Sequence, residues 1–96
     1  MRSEDKTAVL LIRESPGRAP DPSRMRELFG LAQAAGYRVL AEISQRRSRD
    51  HLFQIGRGKI EEAISYHPHR LIFYNPLSPG QVYNIRSQFG VTVLDR

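Results

Sequence analysis

The feature that most constrains this chain is a threefold alternation of apolar strands with amphipathic helices, on connections too short for anything but parallel pairing. The first apolar run, Ala8 to Ile12 within Thr7–Arg13, has no polar interruption. Such a run predicts a strand buried on both faces. Ser15–Pro22 carries three prolines and a glycine, which exclude regular structure there. Asp21 and Pro22 then form a helix start, one as N-cap and the other at the first helical position. Met25, Leu28, Phe29, Ala32 and Ala35 recur at helical spacing on one face, and Gly36 supplies the stop. Tyr37–Ile43 predicts a second strand, nearer a sheet edge because it mixes apolar and charged positions. Lys59–Tyr66 predicts a short helix with Ile60, Ala63 and Ile64 inward, ended by Pro68. Arg70–Asn75 is the third strand. Ser78 and Gln81 have capping-box spacing, Pro79 stands at the first helical position, and Leu77 with Val82 can form a hydrophobic staple. Gly90 ends that helix, and Val91–Leu94 is the fourth strand.

The order β-α-β-α-β-α-β predicts an α/β fold: a four-stranded, mostly parallel sheet of order 2-1-3-4 flanked by three helices, joined by right-handed crossovers. Residues 7–96 form one domain and residues 1–6 a loose tail, since 96 residues suffice for a single core. Cysteine is absent, which excludes a disulfide frame and a thiolate metal site. No apolar run approaches the ~18 residues of a membrane span. The N-terminus lacks a signal-peptide core, so a cytoplasmic location is expected.

In such a sheet every strand-to-helix loop lies at the carboxyl edge, where ligands bind at the reversal of strand order. Those loops are Ser15–Asp21, Arg46–Gly58 and Asn75–Leu77. The middle one belongs to the most charged stretch of the chain: Arg46, Arg47, Arg49, Arg57 and Lys59 against the single acid Asp50. Net charge is +5, which favours anionic partners. Arginine forks pair with phosphate oxygens and stack on bases. Arg46, Arg47 and Arg49 are therefore the leading nucleic-acid candidates. His51 and Phe53 beside them offer stacking surfaces for unpaired bases, although a lone aromatic is more often core.

Gly56-Arg57-Gly58-Lys59 fails as a nucleotide phosphate loop on spacing. Phe53 and Ile60 stand where the Walker A pattern requires glycine and a hydroxyl residue. Two readings stay open. Amides at the helix N-terminus, with Arg57 and Lys59, can bind one phosphate. Alternatively, Gly56 and Gly58 supply positive φ for a tight helix entry, with Glu61 and Glu62 in the first turn already answering the helix dipole. Asn75 can touch a ligand at the carboxyl edge or bond the turn before Pro76. His67 and His69 have no partners at zinc-like spacing and read as surface residues. No nucleophile–base set or carboxylate pair appears, so this chain is not expected to be an enzyme.

Several of these segments together resemble the N-terminal domain of HflX-type GTPases. The resemblance rests on Arg46–Lys59 followed by Ile60-Glu61-Glu62, then Leu71-Ile72-Phe73, Leu77-Ser78-Pro79 with Gln81, Asn84, and Val93-Leu94-Asp95-Arg96. It implies a parallel α/β unit that precedes a helical arm and a GTP-binding domain. It also implies association with the large ribosomal subunit, with Arg46, Arg47, Arg49, Arg57 and Lys59 facing ribosomal RNA. An ATP-linked RNA-remodelling role is implied for some members; separately, the carboxyl-edge crevice near Gly56, Gly58 and Asn75 is a candidate nucleotide site, for ATP among others. The family usually has two acids at the end of the third strand, where Tyr74 and Asn75 stand here, which puts any role of those acids in doubt for this chain. Neither a Walker A loop nor Asn-Lys-x-Asp is present. GTP and magnesium are therefore expected only in a longer parent, whose GTPase domain would be a second partner.

Overall fold

A computed structural model describes residues 6–96 and shows the elements β1 (Thr7–Glu14), α1 (Pro22–Ala34), β2 (Arg38–Arg46), α2 (Arg57–Ile64), β3 (Arg70–Phe73), α3 (Pro79–Phe89) and β4 (Thr92–Asp95). The strands form one sheet in the order β2-β1-β3-β4, and every neighbouring pair is parallel. Fold class and strand order are those expected from the alternation. Of the expected tail, residues 1–5 lie outside the described residues. Lys6 is described, and its carbonyl accepts from Arg38 N at 2.7 Å.

The apolar run of β1 lies at the centre of the sheet, and Ala8–Leu11 are fully buried. Its side chains alternate between two cores. Val9 and Leu11 join Ile43, Phe53, Ile55, Ile60, Phe73 and Ile85 on the face covered by α2 and α3. Ala8, Leu10 and Ile12 join Leu28, Ala32 and Ile72 on the face covered by α1. One extra residue, Leu40, is inserted in β2 where Ala8 pairs with Val39 and Val9 with Ala41. Asp21 caps α1 by accepting from Ser23 N at 3.0 Å, and Gly36 takes φ 89° just beyond its end. Ser78 and Gln81 close the expected capping box of α3.

Several boundaries move by one to three residues, among them β3, which ends at Phe73, two residues before the expected Asn75, and two of the shifts matter for the basic stretch. β2 runs to Arg46 because parallel pairing continues as far as Glu14 with Arg46. α2 begins at Arg57, two residues before the expected Lys59, with Gly56 as N-cap. The expectation that Gly56 and Gly58 supply positive φ is not met. Gly56 has φ −63°, and Gly58 lies inside the helix. Glu61 and Glu62 consequently fall in the second turn, and the first turn has no acid. No helix among the described residues is long and apolar enough to cross a membrane.

Candidate nucleic-acid interface

The segment between β2 and α2 crosses the carboxyl end of β1 as a tightly bonded turn. Asp50 organises it. One carboxylate oxygen, Oδ1, accepts from Leu52 N and Phe53 N at 2.9 and 2.8 Å. The backbones of Asp50 and Gln54 exchange two hydrogen bonds, at 3.1 and 2.9 Å. Gln54 adopts φ 71° and is 3 % exposed. A left-handed residue with a Cβ costs about 1–2 kcal/mol. Two side-chain bonds offset that cost: Gln54 Oε1 accepts from Arg13 Nε at 2.7 Å, and Nε2 donates to Pro76 O at 2.8 Å. This one amide thus ties the turn to the ends of β1 and β3.

Other neutral amides complete the anchoring. Gln81 Nε2 donates to the carbonyls of Asp50 and His51 at 3.2 and 3.4 Å. Asn84 Nδ2 donates to Leu52 O at 3.2 Å. Gln45 Oε1 accepts from the buried Gly56 N at 2.8 Å. Phe53 is core, as the bland reading held, and meets Phe89 edge-on at 5.4 Å.

The basic side chains do not form one surface. Arg46 leaves along β2 and donates to Arg18 O at 2.6 Å. Arg57 lies against α3: its guanidinium sits 4.9 Å from the Phe89 ring, donates to Gln88 Oε1 at 3.0 Å and pairs with Glu61 at 3.2 Å. Lys59 pairs with Glu62 at 3.4 Å. Arg47 donates to Ser48 O at 2.9 Å and approaches Asp50 Oδ2 at 3.6 Å, a solvent-screened pair of small worth. Arg49 is exposed and has no hydrogen-bond or ion-pair partner among the described residues. His51 is exposed beside it.

Arg13, which the sequence reading passed over, is at the centre. It ends β1 half-buried, with Nε on Gln54 and Nη1 donating to Arg47 O at 3.0 Å. Burial, and then the charges of Arg49 and Arg47, lower its pKa from the usual guanidinium value. Position was the available signal: a cation directly after a buried apolar run sits at the carboxyl edge of a central strand. Asn75 bridges the same residue, accepting from Arg13 N at 2.7 Å and donating to Arg13 O at 2.9 Å. It thus bonds the neighbouring strand, where the sequence suggested its own turn or a ligand. Gly56 is closed in, since a Cβ there would stand 2.8 Å from Gln45 Oε1, while Gly58 faces open space.

A family described as GTP-binding GTPase N-terminal matches residues 22–96. The chain is 36% identical to the GTPase HflX of Thermofilum pendens over 101 residues, which is 100% of this chain and 24% of that protein. It is 33% identical to the GTPase HflX of Thermococcus kodakarensis, over 93% of this chain and 20% of that protein. Two crystal structures of SsGBP mutation variants superpose with TM-scores of 0.76 and 0.74 at 26% and 27% identity. In each the match covers 94% of this chain and 29% of the other. The chain thus spans about a quarter of the length of these relatives.

Proposed function

Since the chain belongs to the GTP-binding GTPase N-terminal family, we propose that it is the RNA-facing unit of an HflX-like GTPase, binding ribosomal RNA of the large subunit through the turn after β2. The observation that carries this reading is Arg49, a guanidinium without a partner among the described residues, on a turn that neutral amides tie to the rest of the fold. Carboxylate anchors would cancel the field that attracts a polyanion. Arg47 and exposed His51 flank Arg49, offering a phosphate fork and a stacking surface. Arg46, Arg57 and Lys59, grouped with them by sequence, contribute charge from partnered positions.

The basic stretch offers no ready cradle for GTP and its magnesium ion. The Gly56 amide is taken by Gln45, and Arg57 and Lys59 are held by groups of α2 and α3. No group of three potential metal ligands occurs among the described residues. GTP chemistry would belong to the remaining three quarters of a parent. An ATP site at the carboxyl edge has less support, because Asn75 and Gln54 bond across the crevice between β1 and β3. Docking onto the parent's GTPase domain is favoured by one feature, an open groove between α3 and β4 lined by Val82, Leu94 and the 69 % exposed Tyr83.

The test is fluorescence anisotropy with labelled ribosomal RNA across a salt series. Binding should weaken as salt rises, with a log–log slope of about −0.7 for each single-strand phosphate contacted. Arg47→Gln and Arg49→Gln should each flatten that slope. Salt-independent binding, or variants that bind like the parent sequence, would refute the proposal.

A further inference from the structure

We propose that Arg13, Arg47 and Arg49 form a single phosphate site at the carboxyl ends of β1 and β2, with Arg13 as its fixed floor and Gln54 as the residue that positions Arg13. The inference rests on the RNA-facing reading above and assigns it a defined centre. Three guanidiniums here share one carboxylate. Asp50 Oδ1 already accepts two backbone amides, and Oδ2 approaches only Arg47. Glu14, next to Arg13 in sequence, is paired with Arg24 at 3.8 Å instead. Arg13 Nη1 donates to the Arg47 carbonyl at 3.0 Å, and burial, then the charges of Arg49 and Arg47, disfavour the charged form of Arg13. Three like charges held against a single carboxylate favour an incoming anion, and a half-buried setting screens the attraction less than bulk water does.

The geometry also leaves donors free. Arg13 uses Nε on Gln54 and Nη1 on Arg47 O, so Nη2 has no partner among the described residues. Arg49 has its whole fork without a partner among the described residues. Because Gln54 is itself fixed by Pro76 O, the Arg13 head is held before any ligand arrives, which reduces the ordering cost of binding. The chemistry recognised is a phosphate group. A polynucleotide backbone and a free nucleotide both carry one, and the measurement separates them.

The intact chain is titrated with a fluorescein-labelled single-stranded RNA and, separately, with ATP. Arg13→Gln and Arg49→Gln are compared with Arg70→Gln, an equal change of charge at the opposite edge of the sheet. RNA affinity should fall on the order of tenfold more for Arg13→Gln and Arg49→Gln than for Arg70→Gln. Each of the two should lower the salt slope by about 0.7. The double variant should lose less than the product of the two single effects, since both contact one phosphate. Arg13→Lys keeps the charge without the fork and should lie between. Gln54→Glu neutralises Arg13 and gives up the bond to Pro76 O, whereas Gln54→Met gives up that bond without adding charge, so only the Glu variant should lower the salt slope as Arg13→Gln does. If RNA binds and Arg13→Gln behaves as Arg70→Gln, the site falls while the RNA reading stands. If ATP alone binds, and does so through Arg13, the site stands and the RNA reading falls. If neither ligand binds, both fall.

Discussion

The two glycines of Gly56-Arg57-Gly58-Lys59 should respond to alanine with opposite signs. Gly58 is the second residue of α2, and no atom lies within 4 Å of where its Cβ would be. Alanine there removes backbone freedom from the unfolded chain and should stabilise the fold by about 0.5–1 kcal/mol. Gly56 has φ −63° and ψ 142°, a conformation alanine adopts without strain, so it gains a similar backbone benefit. Its Cβ, however, would stand 2.8 Å from Gln45 Oε1, 3.0 Å from Gln45 Nε2 and 3.1 Å from Arg47 Nη1. Gln45 must move, and the buried Gly56 N–H then loses its acceptor. An unpaired buried donor costs about 1–3 kcal/mol, which outweighs the backbone benefit and leaves a net loss of about 1 kcal/mol.

Urea melts followed by circular dichroism measure both variants. The gap between them should be about 2 kcal/mol, or roughly 10 °C in Tm for a domain of this size. A third measurement isolates the cause. In a Gln45→Ala background the Gly56 amide is already unpaired, so Gly56→Ala should cost nothing further. If Gly58→Ala destabilises, the helix does not begin at Arg57 and the positive-φ reading of both glycines returns. If Gly56→Ala costs as much without Gln45 as with it, the close approach is not the reason for glycine.

Three further outcomes are expected. Arg57→Ala should destabilise by about 1 kcal/mol through lost stacking on Phe89 and the lost bond to Gln88, yet change RNA affinity less than Arg49→Ala, as thermal melts and anisotropy on the same samples would show. Gln81→Leu removes the capping-box partner of Ser78 and two bonds to the turn, so it should cost about 1–3 kcal/mol and speed amide exchange in residues 50–54. Hydrogen bonds from the Ser23 hydroxyl and then the Ser23 amide depress the pKa of Asp21, whose cap on α1 therefore stabilises the fold above the ordinary carboxylate range. That contribution is lost as pH falls through the depressed folded value, so acid titration should fray the start of α1, and Asp21→Ala should abolish that pH dependence.

The elements were legible because each carries a local signal. The uninterrupted run of β1, the Asp21-Pro22 start of α1 and the Ser78-to-Gln81 box of α3 involve residues within four positions of one another, and all three stand where expected. Chirality and connection length called for parallel strands with right-handed crossovers, and the order 2-1-3-4, assumed within those rules, is the one the sheet has. The site was legible only as charge. Its cations were found, apart from Arg13, but their fates were not, because each depends on a partner remote in sequence: Arg46 on Arg18, Arg57 on Gln88, Arg13 on Gln54.

Amides were the residues hardest to read, and they decide what the basic turn can do. Gln45, Gln54 and Asn84 carry no charge and no periodicity that would separate them from surface residues, and the capping-box spacing that marks Gln81 says nothing of its bonds to the turn. Each nevertheless anchors the segment between β2 and α2. A turn this cationic needs support against its own repulsion, and carboxylates would provide it by neutralising the arginines. Amides hold the backbone and leave the charge in place. Charging one anchor while keeping its shape should therefore separate the two properties. Gln81→Glu can still accept from Ser78 N but puts an anion beside the carbonyls it now holds, so it should loosen the turn and reduce RNA affinity together. Asn84→Asp sits at the turn's rim, on the single bond to Leu52 O. It should lower affinity through charge with little loss of stability. Equal effects of the two substitutions on stability would contradict this division between buried anchor and rim.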